Sequence, residues 1–529
     1  MGKYVLAMYD VRGKQDFIFR TNKLKEIVGG SWIIRDIFKD YLLPAAKNAY
    51  PNSNGIFTGE AFSSESFMDR IEGKNNIVKC IGEVVYEGGG NFLVLFKDED
   101  TFKKVTYFFT KKIAEEIGTL QVLGTCVEID NFDDYGKNIS DLYKKHRINE
   151  TQSSNVSPWA CLPIVQVDRK TSRPLVDLES LSYIPDDIKG RIAGDGQKHT
   201  RESIAKLAKY YKEKKKLKEE EKKSISDPER DFYLKNEDML DSLVTEKGVE
   251  SQLAVVYIDG NNMGAKVQER TNNLKSYNDT VKELRAFSKE IQELYVTNGV
   301  KAALSGIEDK HFRIVVSAGD EINFIVNAQD AFRCAQNYLD HLKNSDENAS
   351  ACAGIAVFNS HAPYADAYRI AEEACESGKQ KMKKAKISNA AFIDFHICQG
   401  AIGLSLDEIR DEENGDVISR PWMMWMHDQK EEIVEDVTDF DKEVTPIKNY
   451  LNSFSRSNVK GLFSAAKEGI VPLQMEINRM YGHADEKTKD KVKNDWENLK
   501  SELSNTECQH KLRSIIYDLV LGYDLWFAK

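Results

Sequence analysis

One order of secondary-structure elements occurs twice along this chain, and that repetition constrains its fold more than any single motif. Each pass shows an apolar strand, a helical stretch, a strand–turn–strand hairpin, an amphipathic helix and a second apolar strand. The first pass occupies residues 3–9, 23–43, 81–96, 100–118 and 120–130. The second occupies residues 253–258, 281–296, 312–327, 328–342 and 350–358, followed by a helix at 364–385. The recurrence predicts two homologous α+β domains, each a sheet covered by helices on one face.

Two acidic turns stand at the ends of apolar strands in the second pass. Residues 312–326 fold around Gly319-Asp320-Glu321, and the strand AVVYIDGNNMG ends on Asp259. Because strand termini project side chains out of the buried layer, Asp259 beside Asp320 and Glu321 would concentrate negative charge that a hard cation relieves. The pattern therefore predicts a divalent-metal site, with Mg²⁺ on a nucleoside triphosphate as its occupant.

Length and charge limit the classes of protein that fit. At 529 residues the chain is too long for one core and should divide into roughly three or four domains. Its net charge of −11 argues against a protein that coats nucleic acid, although a local basic groove could still hold a strand. The N-terminus MGKYVLAMYDVRGK enters a strand pattern at once, and no stretch is long enough to span a bilayer. We expect a cytoplasmic protein with no membrane partner.

Cysteine usage signals neither a zinc ribbon nor a disulfide framework. The eight cysteines contain no C-x-x-C pair, and they stand at positions 80, 126, 161, 334, 352, 375, 398 and 508. We expect most of them to be small core residues.

Two further segments surround the second repeat. Residues 166–250 carry mixed charges with few apolar anchors, which favours a charged linker or small helical insertion, solvated or mobile, over a specific binding element. Residues 401–529 predict a helical C-terminal domain. Its Trp422, Trp425 and Met426 are interpreted as core side chains at helical spacing rather than a base-stacking strip.

Several motifs in order resemble one family, the large polymerase-like subunit of type III CRISPR effector complexes, whose two palm domains are akin to GGDEF nucleotide cyclases. DVRGKQDFIF followed by LKEIVGGS is similar to the opening of the family's first palm. IDGNNMG, SAGDE and HAPYADAYRIAEEACESGK are similar to motifs of its second palm. The resemblance implies two ferredoxin-like palms, at 1–165 and 251–400, in addition to the helical domain.

The departures from that family matter for activity. Because the first palm begins at Lys3, we expect the family's nuclease domain, and any DNase activity, to be absent. Only Cys161 remains where the family has paired, zinc-binding cysteines. The first hairpin reads Gly88-Gly89-Gly90-Asn91 without a carboxylate, so these residues are acceptor-site candidates that bind without catalysing. In the second palm, Asn261, Ala318 and Glu321 replace an Asp, a Gly and an Asp.

The resemblance and the residues together predict a two-cation site. Joining a 3′ hydroxyl to an α-phosphate requires a labile proton and neutralised phosphoryl charge, which two ions about 3.5–4 Å apart provide. Asp259 and Asp320 would hold Mg²⁺ or Mn²⁺, with the backbone carbonyl of Ile258 as a further ligand. Glu321 would complete the shell or favour deprotonation of the hydroxyl, so Asp320 and Glu321 are the predicted catalytic residues.

Nucleotide contacts are predicted around the same turns. The backbone N–H groups of the turn that opens a helix suit the β- and γ-phosphates. Lys379, with Lys383 one helical turn later, would meet the triphosphate tail, and Ser317 and Gly319 flank the hairpin. The turn residues are Gly260, Asn261, Asn262, Met263 and Gly264.

Each of these features also has a structural interpretation. A Gly-Asp-Glu turn is most often a hairpin loop, Asp259 could be a helix N-cap, and a lysine-rich segment is usually a solvated helix end. The conjunction favours function over structure. We therefore predict a nucleotide cyclase or oligonucleotide synthase that makes a cyclic di- or oligonucleotide messenger, with ATP as its substrate, in antiviral defence.

Two alternatives remain open. One is a scaffold seated in an RNA-guided complex with guide or target RNA and other CRISPR effector subunits. The other is a stand-alone sensor that binds nucleoside triphosphates with little turnover. The acidic net charge leans against extensive RNA contact.

Overall fold

The structure is a computed structural model whose contacts divide the chain into two units. The first comprises residues 1–238, 262–293 and 318–320, and the second comprises residues 239–261, 294–317 and 321–529. The described residues are 4–21, 23–59, 62–74, 79–88, 91–152, 164–169, 171–176, 184–193, 198–220, 240–243, 251–307, 311–398, 403–413, 417–427, 437–506 and 508–528. The four predicted segments with boundaries near 165, 250 and 400 stay a prediction.

The first unit is built on a mixed sheet. Its strands, within the described residues, are β1 (Tyr4–Arg12), β2 (Ile56–Phe57), β3 (Gly82–Gly88), β4 (Asn91–Phe96) and β5 (Gln121–Ile129), in the spatial order β2-β3-β4-β1-β5. Strand β1 pairs antiparallel with both β4 and β5, so the first strand is central and the hairpin lies on one side of it. This is the strand order of a ferredoxin-like βαββαβ unit. A short pair, β6 (Leu175–Val176) and β7 (His199–Thr200), stands apart from this sheet.

Helices cover both faces of that sheet, so the predicted one-sided cover is wrong for the first repeat. Tyr9 packs against Phe102 and Phe109 of the helix Glu99–Glu116 on one face. Leu6 and Met8 belong to a buried cluster on the other face. The reason is in the strand itself, since residues 5–9 are all buried and alternate side chains therefore need cover on both sides.

The helices of the first unit follow the predicted pattern. They are α1 (Lys14–Phe19), α2 (Leu24–Ile37), α3 (Leu43–Ala49), α4 (Ser64–Glu72), α5 (Glu99–Glu116), α6 (Tyr135–Gln152), α7 (Asp186–Ala193), α8 (Arg201–Glu220), α9 (Met263–Thr271) and α10 (Tyr277–Ile291). A π-helical turn, Phe38–Leu42, joins α2 to α3. Asp98 and Ser63 cap α5 and α4 by accepting from backbone N–H groups of the first turn.

The first half of helix α8 is packed, whereas Lys212, Lys215 and Lys216 in its charged second half are exposed. Lys206 is fully buried and donates to Glu202 Oε1 at 2.7 Å and to the Phe17 carbonyl. A Cβ at Gly29 of α2 would collide with the Lys206 carbonyl, so glycine permits the close approach of α2 and α8. Buried charge is tolerated here because Glu202 lies one turn before Lys206. Residues 221–239 and 244–250 lie outside the described residues.

Helix α10 lies between the strands of the second repeat in sequence but packs on the first sheet. Tyr277, Val281 and Leu284 are buried in the cluster that contains Leu6 and Met8. Their spacing of four and three residues places them on one face of the helix. A second contact is ionic, since Arg285 donates to the Val84 carbonyl and lies 3.6 Å from the buried carboxylate of Glu83. The first unit therefore includes residues 262–293.

The second unit repeats the strand order of the first. Its strands, within the described residues, are β8 (Gln252–Gly260), β9 (Phe312–Ala318), β10 (Glu321–Asn327), β11 (Ala351–Asn359), β12 (Ala390–Ile397), β13 (Trp422–Met426) and β14 (Thr438–Asp439), in the order β14-β13-β12-β11-β8-β10-β9. The segment β9-β10-β8-β11 corresponds to β3-β4-β1-β5 of the first sheet. Strand β8 is again central and antiparallel to β10 and β11. The predicted α+β fold of two related sheets is confirmed.

Helices of the second unit cover this sheet and form a C-terminal helical region. They are α11 (Gly299–Ala303), α12 (Ala331–Ser345), α13 (Tyr364–Lys384), α14 (Leu406–Glu413), α15 (Thr445–Leu451), α16 (Arg456–Glu468), α17 (Ile470–His483), α18 (Glu486–Ser504) and α19 (Gln509–Leu521), with π-helical turns at Gln292–Asn298, Phe440–Val444 and Tyr523–Phe527. Helix α13 lies so close to β11 that a Cβ at Gly354 would collide with the Ala371 carbonyl.

The segment WMMWM is a strand, so its predicted helical spacing is wrong. Strand β13 pairs antiparallel with β12, and Trp422 and Trp425 are buried as predicted. Trp422 lies in an aromatic cluster with Phe332, Phe395, Phe440 and Phe527. A continuous apolar run carries no periodicity, so only pairing with a neighbouring strand distinguishes strand from helix here.

Two buried ion pairs attach later elements to this sheet. Arg410 of α14 donates to both carboxylate oxygens of Asp394 on β12, at 2.9 and 2.7 Å. Arg420 Nε lies 3.1 Å from Asp518 Oδ1 of α19, and Ser419 donates to the other oxygen. Burial alone would raise the pKa of Asp394, but the Arg410 guanidinium outweighs it and lowers that pKa.

The remaining sequence expectations concern cysteines and membranes. The described cysteines are free, and most are buried, while Cys161 lies outside the described residues. Among the helices that the structure describes, none combines the length and apolar character needed to cross a bilayer.

Candidate functional site

Two carboxylates lie side by side where strand β8 ends and strand β10 begins. In the antiparallel register Glu321 stands directly opposite Asp259, and Ile322 stands opposite Ile258. Gly319 has φ +66°, a left-handed conformation that lets the chain turn between β9 and β10. Asp320 follows it in the turn and is half-buried. The local fold therefore presents Asp259 and Glu321 at one edge of the second sheet.

Lys379 of α13 neutralises the first of these carboxylates. Its Nζ lies 2.5 Å from Asp259 Oδ2 and 3.1 Å from the Gly260 carbonyl. Both side chains remain partly open to solvent, with 23% of Lys379 and 29% of Asp259 exposed. Burial alone would lower the pKa of Lys379, but the charge of Asp259 outweighs it and the pKa is raised. Lys379 is therefore an ammonium at neutral pH.

Glu321 is backed by buried tyrosines. The Tyr368 hydroxyl donates to Glu321 Oε1 at 3.3 Å, and the Tyr257 ring meets the Tyr368 ring edge-on at 5.6 Å between centroids. Burial, reinforced by the negative charge of Glu321, raises the pKa of both phenols. The tyrosines stay neutral and are donors rather than bases. Sequence reasoning missed both tyrosines, although Tyr368 stands four residues after Tyr364 and therefore on the same face of α13.

Asn261 does not face a nucleotide, which corrects the predicted use of its side chain and its N–H. The side chain is buried, and its Nδ2 donates to Ser350 Oγ at 3.2 Å and to the Ala390 carbonyl at 2.8 Å. Its backbone N–H donates to the Ser350 carbonyl. The amide explains why Asn stands where the family has Asp, since a carboxylate could not donate to the Ala390 carbonyl.

The rest of the glycine-containing turn keeps the conformation of a helix entrance. Asn262 has φ +56° and precedes the first residue of α9, Met263. No side chain caps this helix, and the space around the position of a Cβ at Gly264 is open. The N–H groups of the first turn of a helix have no partner within the helix, and they attract anions.

The donor set matches magnesium in part. Within the described ranges no three His, Cys, Asp or Glu side chains are grouped so that they could hold a metal ion. Mg²⁺ nevertheless binds commonly through one or two carboxylates and completes its shell with water and substrate phosphates. The opposed carboxylates of Asp259 and Glu321 supply that minimum, and their paired position on neighbouring strands fits a hard cation. The metal site stays a prediction.

A comparison with known families identifies this segment. Residues 252–388 match the family model described as Cas10/Cmr2, second palm domain, and this range contains every element of the site described above. This segment is similar to the second palm domain of Cas10/Cmr2. The resemblance seen in IDGNNMG and SAGDE is thereby confirmed. A comparison with curated proteins gives no match.

Solved structures give weak similarity along the whole chain. A Csm1–Csm4 cassette in complex with pppApA is 13% identical, with a TM-score of 0.49, over 98% of this chain and 69% of that one. A Csm1–Csm4 cassette in complex with cA4 is 12% identical, with a TM-score of 0.45, over 98% and 69%. Csm1 from T. onnurineus is 13% identical, with a TM-score of 0.46, over 99% and 67%. Values this low assign no substrate or partner to the present chain.

Lys383 and Ser317 are two further residues that the sequence predicted to contact the nucleotide. Lys383 is exposed on α13 and, unlike Lys379, is not brought to Asp259. The side chain of Ser317 lies outside the described residues.

The first sheet carries a modified counterpart of this site. Asp10 of β1 stands opposite Asn91 of β4, as Asp259 stands opposite Glu321. His146 of α6 reaches Asp10, with Nε2 3.7 Å from Oδ2, and its Nδ1 lies 3.1 Å from Thr125 Oγ1. Gly88 pairs with Asn91 across the hairpin, while Gly89 and Gly90 lie outside the described residues. Sequence reasoning missed His146, because no motif links it to Asp10.

Proposed function

We propose that this chain is a metal-dependent nucleotidyltransferase that joins nucleoside triphosphates, ATP above all, into cyclic di- or oligonucleotides. The observation that carries the proposal is the pairing of Asp259 with Glu321 at the edge of a Cas10/Cmr2 second palm domain, with the Lys379 ammonium at the same edge. Carboxylates with an adjacent cation are the groups that phosphoryl transfer from a triphosphate needs. The product would be a messenger in antiviral defence, within a type III CRISPR system.

Carboxylates of the second palm domain would hold the cations. Asp259 and Glu321 supply opposed oxygens, Asp320 precedes Glu321 directly, and the carbonyl of Ile258 is a further oxygen ligand. A bound pair of divalent ions supplies a more acidic nucleophile hydroxyl and neutralises charge on the phosphoryl group. Glu321 would complete the cation shell or favour deprotonation of the attacking 3′ hydroxyl.

Lys379 and the turn after Asp259 would bind the triphosphate tail. The Lys379 ammonium carries a full positive charge and keeps part of its surface open to solvent, so it can donate to phosphate oxygens. Met263 and Gly264 open helix α9, whose first N–H groups suit the β- and γ-phosphates. Lys383 would act at longer range from its exposed position.

The first repeat would bind without catalysing. Asn91 replaces the carboxylate that Glu321 provides in the second repeat, and the strand aspartate has His146 at 3.7 Å and Lys14 at 3.9 Å where Asp259 has Lys379 at 2.5 Å. The first repeat has one carboxylate fewer than the second, which weakens cation binding. Gly88, Gly89, Gly90 and Asn91 would therefore hold an acceptor nucleotide.

Release of pyrophosphate tests the proposal. Purified full-length protein with each nucleoside triphosphate and Mg²⁺ or Mn²⁺, with and without RNA, should release pyrophosphate, most rapidly with ATP. The double variant Asp320→Ala, Glu321→Ala should lose this activity. Glu376→Ala, on the exposed surface of α13, is the matched control and should retain it. Turnover in the double variant would refute the assigned site, and no turnover of the wild type under any condition would refute the function.

A second candidate is a scaffold subunit with weak catalysis, which guide or target RNA and other effector subunits would surround. Two observations favour it, namely the Lys379 ion pair that occupies Asp259 and the absence of a three-ligand metal cluster from the described residues. Co-purification of a discrete short RNA with further subunits, together with no pyrophosphate release, would support this scaffold over the enzyme.

A further inference from the structure

The hydrogen bond between Tyr368 and Glu321 is the observation from which a further role follows. Tyr368 is 3% exposed, and its hydroxyl donates to Glu321 Oε1 at 3.3 Å. Buried tyrosine hydroxyls usually find a hydrogen-bond partner. Here the acceptor is a carboxylate at the edge of the sheet, and the donor comes from the helix that also carries Lys379.

A second tyrosine of α13 fixes this helix against the same strand. Tyr364, one turn before Tyr368, donates to Asn323 Oδ1 at 2.5 Å, and Asn323 is two residues after Glu321 on β10. Residues two apart on a strand point to one face, and residues four apart on a helix share a face. The two hydroxyls therefore form consecutive contacts between α13 and β10, one to a neutral amide and one to a carboxylate.

We propose that Tyr368 is a positioning residue that, through its hydrogen bond to Oε1, holds the Glu321 carboxylate beside Asp259 in the orientation in which it would bind a divalent cation. This inference rests on the proposed function, because it assigns the use of Glu321 as a cation ligand. Carboxylates that bind metals are commonly oriented by a hydrogen bond from a neighbouring group, and loss of that group typically costs about 10–100-fold in metal affinity.

The tyrosine side of the contact is suited to this role. Tyr257 lies behind Tyr368 with its ring edge-on, so the phenol has little room to rotate. Lys379 sits three helical turns further along α13 and holds Asp259 on the adjacent strand. One helix thus contacts both carboxylates.

The test compares two Tyr→Phe variants of one helix in the full-length protein. Mn²⁺ is titrated in the presence of α,β-methylene-ATP, which cannot be cleaved at the reacting bond, and free Mn²⁺ is followed by electron paramagnetic resonance. Tyr368→Phe should weaken Mn²⁺ binding by about 10–100-fold. Tyr364→Phe, which removes a hydroxyl of equal burial from a neutral acceptor, should stay within about threefold of wild type, since no cation ligand loses its partner.

The Glu321→Gln background separates positioning from a general loss of structure. In that background Tyr368→Phe should cost no further affinity, because the oxygen that it orients no longer carries charge. If Tyr368→Phe does not fold, Tyr368→Met supplies a second side chain without a donor and should show the same loss.

The outcomes divide cleanly. Equal affinity losses in Tyr368→Phe and Tyr364→Phe, or a Tyr368→Phe affinity near wild type, would overturn the positioning role. A selective loss of Mn²⁺ affinity would support it even if the wild type released no pyrophosphate, in which case the proposed synthase activity alone would fail. A wild type that binds no Mn²⁺ would overturn both.

Discussion

The Lys379 ammonium lies 2.5 Å from the Asp259 carboxylate, at the edge of the sheet where Glu321 stands opposite Asp259. Lysine and a divalent cation would therefore compete for the same carboxylate. Glu321 accepts a hydrogen bond from the neutral hydroxyl of Tyr368. The two carboxylates thus have different partners. Asp259 pairs with an ammonium, and Glu321 accepts a hydrogen bond from a phenol.

Replacing Lys379 should separate metal binding from nucleotide binding. In Lys379→Met the competitor for Asp259 is gone, so Mn²⁺ affinity should rise, by up to about tenfold for a contact of order 1 kcal/mol. The KM for ATP should rise instead, because a cation for the triphosphate is lost. Lys384→Met, exposed on the same helix, is the control and should change neither value. A fall in Mn²⁺ affinity in Lys379→Met would contradict the competition.

The same ion pair predicts a pH dependence of stability at alkaline pH. The pKa of Lys379 is raised above its ordinary value of 10.5, so its stabilising contribution is complete below that value and is lost as pH rises through the folded-state pKa. Urea unfolding of wild type and Lys379→Met between about pH 9 and pH 12 should show their midpoints converging as pH rises. A difference between the two proteins that grows with pH would exclude this origin.

The buried pair of Arg410 and Asp394 should matter far more for folding than an exposed pair of the same geometry. Arg410→Met leaves a buried carboxylate without its partner and should lower the free energy of unfolding by about 3–5 kcal/mol. Arg456→Met removes an exposed guanidinium that bonds Asp524 through two nitrogens, and it should cost at most about 1 kcal/mol. Equal losses in chemical denaturation would refute the importance of burial.

Two glycines should respond in opposite ways to alanine. Gly354→Ala places a Cβ against the Ala371 carbonyl and the Cys375 nitrogen, so helix α13 must move and the protein should be destabilised by about 1–3 kcal/mol. Gly482→Ala, in helix α17 with no atom near the new Cβ, should stabilise by up to about 1 kcal/mol. Thermal melting of both variants checks the signs, and a stable Gly354→Ala protein would show that the helix can shift freely.

Much of the fold is readable from the sequence because its strands and helices have clear local patterns. The hairpin around Gly319 and Asp320 was predictable, since two apolar runs flank a turn whose glycine adopts a positive φ. The repeated order of elements was predictable for the same reason. Trp422–Met426 was not, because an unbroken apolar run fits strand and helix equally well.

Long-range relationships explain the remaining errors. Nothing local shows that Lys379 reaches Asp259, 120 positions earlier in the chain, or that Asn261 turns inward to the Ala390 carbonyl. The burial of Lys206 had one local signal, the glycine pair in the middle of α2, which allows another helix to approach closely. The opposition of Asp259 and Glu321 depends on strand register, which the pattern of apolar residues fixes only once the pairing partner is known.

The packing of helix α10 has a practical consequence for dissecting this protein. A fragment that begins at residue 251 would retain Tyr277, Val281 and Leu284. It would lose Leu6 and Met8, which belong to the buried cluster that shields these three side chains from water. Such a fragment would expose an apolar helix face and tend to self-associate. Expression of the isolated C-terminal half therefore requires that these three side chains first be replaced by polar ones.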